Sequence, residues 1–186
     1  TSIVPPTAEV PDWDGYGNKG DNNLMIFIVS ELTSWGSSDA IFSLASDEGA
    51  AKGFSIEAGG SAVKFKAKIN GLGSTTPADE DRSGPSIYCL SHTTASRTVY
   101  IDGDEKESKV KDEKINKGLA TPMPLRIFER KNADEKEPAG GCAEVILCNE
   151  ADEAARQAVE GYLAHKWGLE GSLPSDHPYK AGSPKV

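Results

Sequence analysis

With 186 residues, 37% of them hydrophobic and 26% charged, the chain has the length and balance of one globular domain, large enough to bury a core without metal or disulfides. Its net charge of -9 argues against nucleic acid as a partner, because phosphate binding needs a basic face, and it would be repelled by an anionic membrane surface. The longest apolar run, Leu24 to Val29, has the length of a strand and falls far short of the roughly 20 residues of a membrane span.

In chain order, residues 1–12 read as an N-terminal arm or a partial first strand, broken by Pro5, Pro6 and Pro11. No leader is visible, and the chain begins at Thr1 rather than Met, consistent with a segment removed earlier. Residues 13–186 read as one domain. Leu24–Val29 suits a strand buried on both faces. Ala40–Leu44 and Gly53–Ala58 follow as short strands, with turn residues between them. Val63–Ile69 alternates Val63, Phe65, Ala67 and Ile69 against Lys64, Lys66 and Lys68, a half-buried strand with a solvated cationic face. Ser74–Pro85 reads as a surface loop and Ser86–Ser91 as the next strand. Arg97–Ile101, Asp102-Gly103 and a second strand toward Val110 form a hairpin, since Asp-Gly supplies the positive φ angles of a tight turn. Leu125–Phe128 is another strand, and Asn132–Gly141 a charged, Gly-rich mobile loop.

Cys142–Cys148 is the last buried strand, after which the period changes. Asn149 is placed to cap a helix at about 150–167, with Asp152 three residues on in a capping-box-like position. Ala151, Ala155, Ala158, Val159, Tyr162, Leu163 and Trp167 make one apolar stripe, which assigns Trp167 to packing. Gly168 ends the helix, and Ser172–Val186 lies extended against the body. Cys142 and Cys148 share a strand, about 20 Å apart, and cannot bond each other. Cys89 meets one of them only if their strands are neighbours; otherwise all three are free core cysteines.

The stretches Ala143–Asn149, Ala154–Leu169 and Leu173–Tyr179 resemble the C-terminus of bacterial and phage laminin-G-like modules of the concanavalin A-like lectin/glucanase superfamily. Val99–Gly103 is similar to that family's YVDG hairpin, and Trp13–Asn18 to its N-terminal turn. The resemblance spans residues 13 to 179. It implies an all-β fold: a two-sheet antiparallel jelly-roll sandwich with one C-terminal α-helix packed against one end. The segment before Trp13 departs from the family, which opens there on a strand carrying aspartates.

The same fold hosts glucanases, whose paired carboxylates stand on alternate positions of one strand. Here Asp79–Asp81, Asp102–Glu105 and Asp134–Glu137 fall in loops and turns, and read as solvated surface. His92, His165 and His177 stand in no Ser, Cys or Asp constellation; packing and hydrogen bonding are the roles of the latter two. The chain is therefore read as a non-enzyme. Asp12, Asp14, Asn18 and Asp21 offer oxygen ligands in a Gly-rich loop and make a candidate calcium site, the alternative being a turn whose side chains cap the backbone. Trp35, in a polar loop, and Tyr16 are the candidate sugar platforms, with core packing as the alternative for each. The expected function is a lectin-like recognition or adhesion module, secreted or displayed on a cell or particle surface, that binds glycan or a protein surface. The alternative is a virion structural protein, a decoration or fibre domain that uses the fold for particle contacts.

Overall fold

The computed structural model describes residues 23–34, 39–45, 53–58, 66–69, 72–75, 84–93, 96–110, 125–128, 139–149 and 151–185. Within them, β1 (Leu24–Ser34) is buried at every position from Leu24 to Ser30. A strand can be buried so only if both faces of its sheet are covered. It is an interior strand of a five-stranded antiparallel sheet, second from the edge between β10 (Ala139–Cys148) and β6 (Ser86–His92), and the sheet continues through β7 (Ser96–Ile101) to β8 (Asp104–Val110). The second antiparallel sheet runs β5 (Leu72–Thr75), β4 (Lys66–Ile69), β3 (Gly53–Ala58), β2 (Asp39–Ala45), β9 (Leu125–Ile127).

On one face of the first sheet, Leu24, Ile26 and Ile28 align with Leu90 and Tyr88 of β6 and with Val99 and Ile101 of β7. All are buried, toward the second sheet with its buried Ile41, Phe42 and Ile56. In that second sheet the register aligns Ile127, Phe42, Ile56 and Ala67 in one row, and Arg126, Ser43, Ser55 and Lys68 in the next. Two antiparallel sheets and one helix give the expected jelly-roll sandwich.

The other face of the first sheet carries Met25, Phe27, Val29, Ile87 and Cys89, packed against Leu163, Ala164, Leu169 and Leu173. The helix α1 (Glu153–Trp167) therefore covers the outer face of a sheet instead of closing one end of the sandwich. Asp152, not Asn149, is its N-cap: its carboxylate accepts the Ala155 N–H at 2.9 Å. Gly168 ends it in the left-handed region, φ 70°, where a residue without Cβ fits at low cost.

Three further differences concern loops. Ser74 and Thr75, expected at the head of a surface loop, belong with Leu72 and Gly73 to β5, which comes near β7 and β8. Residues 139–141, expected in a mobile loop, extend β10, and a Cβ on Gly140 would meet the Glu31 carbonyl oxygen at 2.0 Å, so only glycine lets the two strands pair there. Asp102, read as solvated, is buried and accepts the Ile87 N–H at 2.7 Å. It and Gly103 carry φ of 52° and 84°, as the tight turn requires. The cysteines are free. Cys89 on β6 and Cys148 on β10 face the helix from opposite sides of β1, two strand spacings apart and offset by two residues along it, about 12 Å in all and too far for a disulfide.

Candidate functional site

Tyr16, Trp35 and the oxygen set Asp12, Asp14, Asn18 and Asp21 lie outside the described residues. The strand to which they are joined is described. The acidic loop enters β1 at Leu24, and Trp35 follows its last residue, Ser34. Ten strand steps, about 33 Å, separate the two attachments. Among the described residues no three His, Cys, Asp or Glu side chains converge as a metal site would need, and no helix is long and apolar enough to cross a membrane.

The described chemistry concentrates on the helix and the segment after it. Beneath α1 lies a buried ionic cluster. Arg156 donates to both carboxylate oxygens of Glu160, at 2.8 and 2.6 Å, and to Glu153 at 2.7 Å, while its guanidinium stacks 3.8 Å over the Tyr100 ring. Glu160 is 0% exposed. His177 approaches it from the C-terminal segment, with Nε2 3.4 Å from Oε2. The Tyr179 N–H donates to His177 Nδ1, so Nε2 carries the proton and donates to the carboxylate. Burial pushes the Glu160 carboxyl up to about 7, outweighing the opposing pull of Arg156. Burial, then the Arg156 charge, holds His177 below its usual value and therefore neutral.

The same segment is fastened at other points. His165 Nε2 donates to the Tyr179 carbonyl at 2.8 Å, and Lys180 donates to the carbonyls of Gly171 and Leu173. A Cβ on Gly103 would stand 3.1 Å from His177 and Pro174, and one on Gly161 2.4 Å from Tyr179 Cβ. The two resemblance motifs thus touch: the hairpin turn and the Leu173–Tyr179 segment pack on each other over Glu160. These contacts hold the helix on the sheet and engage the buried Glu160, while the buried Asp102 is bonded to the Ile87 N–H.

At its far end α1 emerges from the core. Trp167, assigned to packing by the apolar stripe, is 41% exposed. Its indole Nε1 donates to Glu144 Oε2 on β10 at 2.8 Å. Lys166 Nζ donates to Glu144 Oε1 at 3.0 Å and to the Tyr162 hydroxyl at 2.8 Å, and lies over both rings, 5.2 Å from the Tyr162 centroid and 5.6 Å from that of Trp167. Desolvation raises the Glu144 carboxyl, but the Lys166 and Trp167 hydrogen bonds outweigh it and hold the group below its usual value. The result is an exposed aromatic surface with a fixed carboxylate, an ammonium and a phenol at its edge. Periodicity alone could not reveal it, because the stripe continues one turn past the point where the helix reaches the edge strand.

No family model matches the chain, and no curated protein matches it. Solved structures do match. The CBM40 module of the Ruminococcus gnavus IT-sialidase, bound to alpha2,3 sialyllactose, is 10% identical with a TM-score of 0.59, over 72% of this chain and 79% of that chain. A putative carbohydrate-binding protein from Bacteroides ovatus is 13% identical with a TM-score of 0.55, over 72% of this chain and 39% of that one. The Trypanosoma rangeli sialidase in complex with 2,3-difluorosialic acid is 10% identical with a TM-score of 0.51, over 72% of this chain, which spans 22% of the sialidase. At these identities the shared property is the fold.

Proposed function

We propose that the chain is a non-catalytic, lectin-like recognition module that binds glycan at a cell or particle surface. The observation that carries this is the exposed Trp167 ring with its hydrogen-bonding neighbours, on a sandwich whose structural neighbours include modules described as carbohydrate-binding. An aromatic surface flanked by a few fixed polar groups is the composition of a small-molecule site. Against catalysis, among the described residues, stands the engagement of the buried carboxylates Asp102 and Glu160, which bond the Ile87 N–H and Arg156. The proposal extends to the loop residues: Trp35 and Tyr16 as further ligand contacts, and Asp12, Asp14, Asn18 and Asp21 as a calcium set that orders the loop before β1.

A glycan array with the purified chain, run with calcium and again with chelator, tests the reading. Selective, saturable binding is expected, weakened by Trp35→Ala if that residue lies in the site and lost with chelator if the acidic loop takes part. An array blank under both conditions overturns it, leaving protein contact in a particle as the use of this fold.

A further inference from the structure

Resting on the glycan-recognition reading, we infer that Trp167, Tyr162, Lys166 and Glu144 form a metal-independent site for a neutral pyranose, which stacks its C–H face on the indole and bridges adjacent hydroxyls to the carboxylate and ammonium.

Geometry comes first. The indole has one hydrogen-bonding group, and that group is already used inward, on Glu144. What the ring offers outward is apolar surface, 41% of the residue open to solvent. An exposed indole with its polar atom turned to a neighbouring carboxylate serves an apolar face better than a hydrogen-bonding one. Polar capacity lies beside the ring. Glu144 Oε1 accepts from Lys166 and retains a lone pair, while Oε2 accepts from Trp167 with Lys166 Nζ also 3.0 Å away; the Tyr162 hydroxyl accepts from Lys166 and keeps its own hydrogen to donate. Acceptors and donors standing side by side complement a pair of adjacent hydroxyls, each both donor and acceptor.

Charge selects among sugars. Glu144 and Lys166 cancel each other across 3.0 Å, so the site offers an acidic sugar no uncompensated cation. An incoming carboxylate would meet Glu144 at close range, in a chain of net charge -9. Two of the relatives in fold are described with a sialylated or sialic acid ligand, an anion that this surface does not complement. A protein side chain docking on Trp167 is the competing occupant, but such anchors sit in apolar pockets ringed by dry contacts. Here the indole is bordered by Lys166, Tyr162 and Glu144, all three hydrogen-bonded.

The test compares the native chain with Trp167→Ala and Glu144→Gln on an array carrying neutral and sialylated glycans, in the presence of chelator. Circular dichroism confirms that both variants are folded, and the best neutral sugar is then titrated by tryptophan fluorescence. Expected are binding to neutral glycans that survives chelator, a loss of at least about tenfold in each variant, and a change of indole emission on titration that Trp167→Ala abolishes. Binding of neutral glycans unchanged in Trp167→Ala overturns the site while leaving the module's recognition function intact. Binding confined to sialylated glycans, strengthened in Glu144→Gln, overturns the ligand class. An array blank for every glycan overturns this site and the broader reading together.

Discussion

Two buried titratable side chains act on stability in opposite senses. His92 is 2% exposed on the face toward the second sheet, and among the described residues neither ring nitrogen finds a hydrogen-bond partner. Desolvation, then the neighbouring Arg97 charge, lowers its pKa to about 4. The unfolded chain takes up this proton near 6.5 and the folded protein only near 4, so stability present above 6.5 is lost as pH falls through that window, by about 3 kcal/mol. Glu160 behaves in reverse. Its folded pKa, raised from 4.5 to about 7, makes stability greatest below 4.5 and declining as pH rises to 7, again by about 3 kcal/mol. His177, lowered in the fold, adds to the His92 sense. Between pH 4.5 and 6.5 the native chain should therefore show a shallow stability profile. Urea unfolding across that range should give a profile that falls with pH in His92→Leu and rises with pH in Glu160→Gln. Two variants with the slope of the native chain would mean that neither group carries the linkage.

At the level of elements, the helix and its trailing segment depend on small contacts that can be counted one at a time. Asp152→Ala removes the N-cap bond to Ala155 and should cost about 1 kcal/mol, read by thermal unfolding. Gly161→Ala would raise helix propensity in isolation. Here its Cβ would stand 2.4 Å from Tyr179 Cβ, so the segment must shift, and a net loss of about 1–2 kcal/mol is expected in place of a gain. An increase in melting temperature for Gly161→Ala would show that the segment yields freely. How much of this could be read from sequence varies by element. β1 was legible because an unbroken apolar run can only be a strand covered on both sides. The Gly168 stop was legible because the left-handed cap has a residue signature. Arg156 and Glu160 were not, since a charged pair four residues apart looks like a solvated helix face, and only Tyr100 and His177, brought from elsewhere in the chain, turn it into a buried cluster. β5 was missed because Leu72–Thr75 carries a glycine and leads into Pro77, composition that locally favours a loop. The 41% exposure of Trp167 was hidden for a related reason: helical period records which side a residue takes, but not where the surface beneath the helix ends.

For the molecule as a whole, the first sheet is the middle layer, with the second sheet on one side and α1 with its trailing segment on the other. A chain ending at Gly168 keeps the helix but loses Leu169 and Leu173, which are packed with Met25, Phe27 and Cys89, and loses His177 from above Glu160. Such a chain should bind a hydrophobic dye and lose solubility, while the full chain does not; a truncated protein that stays dye-negative and monomeric by gel filtration would show the segment to be dispensable. The proposed glycan site makes a separate demand, because its carboxylate comes from β10 and its ring from α1. Variants that loosen the helix on the sheet, Gly161→Ala among them, should weaken sugar binding even though they touch no ligand.

The pairing of β1 also has a consequence in time. Leu24–Ser34 leaves the ribosome before the residues that complete it, since one of its edges is paired by residues 139–148 and one of its faces is covered by residues 163–173. Until those residues are synthesised, the most apolar segment of the chain has an open edge and a bare face. Its completion is a contact between sequence-distant parts, which is slow to form. While the roughly hundred residues between Ser34 and Ala139 are being made, the nascent chain therefore carries its most apolar strand with one edge and one face open.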